Sequence, residues 1–201
     1  ENNSTLMQEM LLQAETMQTA VCIFDIIGGR NPDPILYTND IEAFRNNTGA
    51  NGLNYGTAYY PFVGTTIMQT EDIDYTNLFG GDVKQLQPLL SPATQPNSKV
   101  DTILSTIENP SSNPPTVSKN NEDLLDASDT YNSIINHILK EANMLPPSAG
   151  IAGVITTTDN NVGPWQAPAN TSIVGVSSLP IHLSDSQQAD LNVDAISGKS
   201  I

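Results

Sequence analysis

Two histidines, one cysteine and two acidic clusters are the groups in this 201-residue chain with the clearest capacity for chemistry. His137 falls in a helical stretch, next to Ile138 and about a turn from Ile134. His182 lies in the apolar stretch Leu179-Pro180-Ile181-His182-Leu183. A serine triad needs an activated Ser beside an oriented His, and no Gly-x-Ser-x-Gly elbow singles out a nucleophile. Both histidines therefore read as structural. Cys22 sits in Ala20-Val21-Cys22-Ile23-Phe24, the setting of a buried thiol. A single cysteine excludes an intrachain disulfide and a Cys-pair zinc site. The clusters Glu71-Asp72-Ile73-Asp74 and Glu122-Asp123 lack the spacing of a calcium loop with a distal Glu, and read as solvated acidic faces. Gly28-Gly29-Arg30 and Gly80-Gly81 are turns without a Walker lysine or a Gly-x-Gly-x-x-Gly run. Asn2, Asn46 and Asn170 head Asn-x-Ser/Thr triplets, which are common by chance in an Asn- and Thr-rich chain. The expectation is a protein that is not an enzyme, with no catalytic residue, no cofactor and no metal.

Charge narrows the partners. Twenty-two acidic residues against seven basic ones give a net charge of −15. Phosphate backbones and anionic membrane surfaces repel such a chain, so neither nucleic acid nor membrane is expected as a partner. No window approaches the ~18 continuous apolar residues of a membrane span. Hydrophobic content of 38% is below the usual globular share, which points to a polar region within a folded domain.

Several elements can be placed from periodicity. Leu6, Met10, Ala14 and Met17 give an amphipathic helix over 4–18, capped by Ser4 or Thr5. The apolar run 20–27 predicts a strand buried on both faces. A short helix follows over 39–45, with Asn39 and Glu42 at capping-box spacing. The aromatic run 55–63 predicts a second strand. Six prolines between 88 and 121 predict loop, interrupted by one helix over 100–108. The apolar stripe from Leu124 to Leu139 predicts one long helix over 122–143, stopped by Pro146-Pro147. Ser148 is a possible cap for a weak, small-residue helix, followed by a polar loop over 156–172 and a short strand over 173–176. Ser184 and Gln187 form a capping box opening a last helix. Strands alternating with helices predict an α/β fold: a layered sheet with flanking helices, plus a long polar, partly helical insertion.

Three blocks in this order carry a family resemblance. They are the strand 20–27; Thr57-Ala58-Tyr59-Tyr60-Pro61-Phe62; and Pro146-Pro147-Ser148-Ala149-Gly150-Ile151-Ala152-Gly153-Val154, leading through Asp159 to Gly163-Pro164-Trp165-Gln166-Ala167-Pro168-Ala169-Asn170. Together they resemble the sheath proteins of contractile phage tails and related contractile injection systems. That family's Leu-Asn segment is matched by Leu191-Asn192 within 183–192. The blocks cover about half of the chain. Gln166 stands where the family motif usually has lysine, which removes a cation from that position.

The resemblance implies the central, subtilisin-like sheath domain, a label of fold likeness only. It implies residues 1–68 as the first part of that domain, 69–145 as an insertion, and 146–201 as a second part that stops before the family's domain closes. Sheath subunits polymerise around an inner tube and contract to drive it through a target envelope. The implied partners are other sheath subunits, the inner tube protein, and baseplate and terminator proteins. The implied setting is a virion or phage-tail-like particle assembled in the bacterial cytoplasm. Neighbouring subunits in the family exchange strands from terminal arms, so this stretch alone is not expected to polymerise. The candidate motif and interface residues are Tyr59, Tyr60, Pro61, Pro147, Ser148, Gly150, Gly153, Asp159, Gly163, Trp165, Ala167, Pro168, Asn170, Leu191 and Asn192. Trp165, the only tryptophan, either plugs the domain's own core or anchors a subunit contact. The competing classes are an α/β hydrolase-like enzyme and a secreted binding module.

Overall fold

A computed structural model describes residues 4–192. Helix far outweighs strand, 55% against 9%, and small sheets are flanked by helices, so the fold is α/β. The chain divides into two units. Unit 1 comprises Glu1–Thr66 with Met144–Ile201, and unit 2 is Ile67–Asn143.

Unit 1 begins with α1 (Ser4–Met17), whose Leu11 and Ala14 are buried. Strand β1 (Cys22–Asp25) runs parallel to β2 (Gly56–Tyr59), with Cys22 opposite Gly56 and Asp25 opposite Tyr59. Only four residues of the apolar run 20–27 form strand, and only one face is fully covered. Cys22 and Phe24 pack with Leu11 and Ala14, while Val21 and Ile27 are exposed. Helix α2 (Tyr37–Thr48) starts before the expected Asn39. The Asn39/Glu42 box is not its cap. Asp33 Oδ1 instead accepts from the backbone N–H groups of Ile35 (2.7 Å) and Leu36 (2.9 Å), an Asx turn ahead of the helix. Those two N–H groups hold the Asp33 carboxyl below its usual range.

The aromatic run 55–63 is not one strand. Proline has no N–H to continue a ladder, and the chain leaves β2 at Tyr60-Pro61. It then enters β3 (Val63–Thr65), the centre of an antiparallel sheet between β4 (Met144–Leu145) and β5 (Val176–Ser178). β5 lies later than the expected 173–176, after an exposed Val174 and a Gly175 at φ +86°. Helix α7 (Ser148–Asn161) takes up the first residues of the expected polar loop. Helix α8 (Asp185–Asn192) opens on the expected box, with Ser184 N donating to Gln187 Oε1 at 2.9 Å. Ile26, Tyr37, Ile41, Ile181 and Leu191 form a second small core cluster.

Unit 2 has no helix over 91–97 and 109–116, as expected, but helix takes 88–90 and 117–121 of the stretch expected as loop. Helix α3 (Val83–Leu90) contains Pro88, and Asp82 caps it by accepting from Lys84 N. Its Val83, Leu86 and Leu90 share one face at helical spacing, which outweighs the hydrogen bond that Pro88 cannot donate. Helix α4 (Ser98–Glu108) contains the expected stripe, with Val100 and Leu104 buried. The single helix expected over 122–143 is two, α5 (Val117–Ala127) and α6 (Asp129–Ala142). They break at Ser128, whose hydroxyl accepts from Tyr131 N at 3.1 Å and so caps the second one. All four helices bury apolar residues in one cluster with Ile73, Tyr75 and Leu78. Inside it, Tyr131 Oη donates to Asn121 Oδ1, and Asn121 Nδ2 donates to the Ile73 carbonyl. The ends of the unit are joined by one side chain: Asn143 accepts from Met68 N and donates to Met68 O, both at 2.9 Å.

Candidate assembly surface

The motif residues other than Leu191 and Asn192 fall on three pieces of unit 1: the chain at and after the end of β2, the start and length of helix α7, and the 163–174 segment. Tyr59 ends β2 beside Asp25 in the register. Pro147 is buried and precedes α7, but Ser148 is not the side-chain cap that its position suggested. The cap comes from another element. Asp25, at the end of β1, accepts from Ser148 N at 2.9 Å and from Ser148 Oγ at 2.5 Å. A carboxylate there satisfies an orphan helix N–H and faces the positive end of the helix dipole. The contact fixes α7 against the sheet. It also holds the Ser148 hydroxyl as a donor to the Asp25 carboxylate.

Helix α7 buries none of its own side chains fully. Gly150 admits a close neighbour: a Cβ there would stand 2.5 Å from Ile173 Cγ2. At Gly153 a Cβ would meet nothing within 4 Å, so the helix is notched and open at that turn. The notch belongs to a shallow cavity of about 370 Å³ lined by Gly150, Gly153, Val154, Thr157, Ile173 and Val174. Asp159 lies within α7 and is exposed, rather than in the expected polar loop.

After α7 the chain turns at Gly163 (φ +130°), against which the Trp165 indole is laid so closely that a Cβ would overlap its six-membered ring. Trp165 itself is 81% exposed, and this overturns the reading of it as a core plug. Ala167, Pro168 and Asn170 are exposed beside it, with Asn170 at φ +52°. Val174, 96% exposed, continues the same segment. Leu191 is elsewhere: it is buried in the small core cluster, and its carbonyl accepts from the buried Arg45 side chain at 2.9 Å. Asn192 closes α8.

Tyr60 turns inward. Its hydroxyl is buried beside the Asp40 carboxylate without good hydrogen-bond geometry. Burial first, then the Asp40 charge, pushes its phenol up to about 12. Burial likewise raises Asp40, against the opposing effect of the Tyr60 hydroxyl. Pro61, next to it, is where the chain passes from one sheet to the other. A second cavity, about 680 Å³, opens on Asp40, Phe24, Phe44, Leu6 and Met10. Sequence reasoning missed Asp25 and Asp40; an acid interrupting the apolar run 20–27 is the one signal that marked Asp25.

His137 and His182 are both exposed. Asp72 and Asp74 accept backbone N–H groups of Gln69 and Thr76, both at 2.7 Å, capping short turns. Glu122 and Asp123 share Lys119 in surface ion pairs. Among the described residues no group of three or more His, Cys, Asp or Glu side chains converges as metal ligands would. No described helix is long and apolar enough to cross a membrane. No protein-family model matches the chain, and no curated protein is significantly similar to it.

Proposed function

We propose that this chain is a structural, non-enzymatic subunit of a contractile tail sheath, built into a phage tail or phage-tail-like particle. In that role it contacts further copies of itself in a helical lattice around an inner tube, with baseplate and terminator proteins at the ends. The family reading rests on the order and spelling of the three motif blocks. The observation that carries an assembly role is the exposure of the most distinctive block: Trp165 stands open to solvent on a segment held against a notched helix. Large aromatic side chains in such positions are the usual anchors of protein contacts. The surrounding apolar exposure points the same way, with Val162 and Val174 flanking it.

Immunogold electron microscopy of particles from the source cells, with antibody raised against this chain, tests the reading. Gold spaced along contractile tubes is the expected result. Tubes that stay unlabelled while the antibody marks another cell fraction would overturn it.

A further inference from the structure

We propose that Asn51-Gly52 is a spontaneous deamidation site, and that its isoaspartate product unseats α1 from unit 1. It is the only Asn-Gly pair in the sequence. Asn51 is exposed, its side chain has no hydrogen-bond partner among the described residues, and it lies in a bend between Gly49 (φ +78°) and Gly52 (φ +66°). Glycine after asparagine leaves no Cβ to obstruct approach of the backbone nitrogen to the side-chain amide.

The reaction is closed in atoms and needs only water. The Gly52 nitrogen loses its proton and bonds to Asn51 Cγ; the Cγ–Nδ2 bond breaks and ammonia leaves, giving a five-membered succinimide. Water then opens the ring. Cleavage of the new N–Cγ bond gives aspartate, and cleavage of the original peptide bond leaves isoaspartate, with the main chain rerouted through Cγ. The two Asn-Ser pairs within the described residues are guarded. Asn97 Nδ2 donates to Ala127 O at 2.8 Å, while Asn132 sits inside α6 and donates to Leu125 O.

The consequence follows from what Gly52 touches. A Cβ on it would lie 3.0 Å from the Leu11 carbonyl oxygen and 3.2 Å from its carbonyl carbon. Leu11, 1% exposed, is the residue that seats α1 on Cys22 and Phe24. Isoaspartate lengthens the main chain by a methylene immediately before Gly52, and so shifts the close packing of Gly52 on the Leu11 carbonyl that helps to hold α1.

The test ages the whole chain at mildly alkaline pH, maps its peptides by mass, and labels isoaspartate with an isoaspartyl methyltransferase. Loss of the amide at Asn51 ahead of every other asparagine is expected, with methyl label on that peptide. Cleavage within α1 by added protease should rise in aged protein but not in aged Asn51→Gln. Freshly prepared, unaged Asn51→Asp, which has the charge without the rerouted backbone, should keep α1 protected. Retention of the Asn51 amide while a synthetic peptide of residues 47–57 loses it would overturn the site. Loss of the amide with α1 still protected would overturn the consequence.

Discussion

The two units of this molecule solve the burial problem differently. Unit 2 gathers eleven buried residues into one cluster, and each of its four helices begins on a side-chain cap: Asp82, Asn97, Thr116 and Ser128. Among the described residues, unit 1 has two smaller clusters of five and four buried residues, with Val63 buried outside both. Neither α2 nor α7 is capped by its own N-cap side chain. Exposure follows the same division. Of sixteen exposed large apolar side chains among the described residues, only Ile67, Phe79, Leu89 and Val117 belong to unit 2. Unit 2 is finished within itself, while unit 1 keeps apolar surface in reserve. The difference teaches where to look for partners, because the motif-bearing unit is the one with unspent surface.

Truncating a core leucine in each unit tests this contrast most severely. Leu104, 1% exposed at the centre of the unit 2 cluster, should cost about 3–5 kcal/mol when changed to Ala. Leu11→Ala, in the four-residue cluster, should fall nearer ~2–3 kcal/mol, because a site with fewer packed neighbours collapses more easily. Urea titration of both variants, followed by helical circular dichroism, gives the comparison. Equal losses would break it.

Next in size is the borrowed cap. Asp25→Ala removes two hydrogen bonds from the start of α7 and should cost about 1–2 kcal/mol. The unit 2 counterpart, Thr116→Ala, removes a cap from within its own segment and should cost about 1 kcal/mol. Amide hydrogen exchange separates the two cases. Loss of protection in Asp25→Ala should extend to β1 as well as α7, whereas Thr116→Ala should affect α5 alone.

At neutral pH the third effect is silent. Tyr60 titrates at about 12 in the fold against 10.0 for a free phenol, chiefly through burial and then the Asp40 charge. The fold favours the neutral phenol, so the associated stability is fully present below pH 10 and is lost as pH rises through 12. Tyr60→Phe has nothing to ionise there. The stability of the unaltered chain relative to this variant should therefore fall between pH 10 and 12, as read by denaturant midpoints at each pH. In unit 2 burial raises the Tyr131 phenol as well.

Local signals were legible in the sequence and distant ones were not. The α4 stripe and the Ser184/Gln187 box depend on residues within a few positions of each other, and both appear. Helix α1 forms too, but of its expected face only Ala14 is buried, while Leu6, Met10 and Met17 are exposed and Leu11 packs inward instead. Pro88 hid α3, because a proline count outweighs a three-residue apolar face in any compositional reading. The stripe running through Ser128 hid the break between α5 and α6, since Ser128 is both the end of one helix and the cap of the next. Asp25 could not be read as the cap of α7 because the two are 123 positions apart. For the same reason the spelling of the 163–170 block said that Trp165 was special, but not on which side of the surface it stood.

Trp165 gives the smallest effect on stability and the most direct comparison of the units. An indole 81% exposed contributes little to its own fold, so Trp165→Ala should change the unfolding free energy by no more than ~0.5 kcal/mol. That sits an order of magnitude below Leu104→Ala in unit 2. If the exposed surface of unit 1 is reserved for other copies of the chain, the same substitution should abolish incorporation into particles while leaving the melting temperature unchanged. A control in unit 2 sharpens the result: Phe79→Ala removes another exposed aromatic, from the unit that completes its own core, and should assemble normally. Assembly lost with Phe79→Ala and kept with Trp165→Ala would place the contact on unit 2 and reverse the contrast between the units.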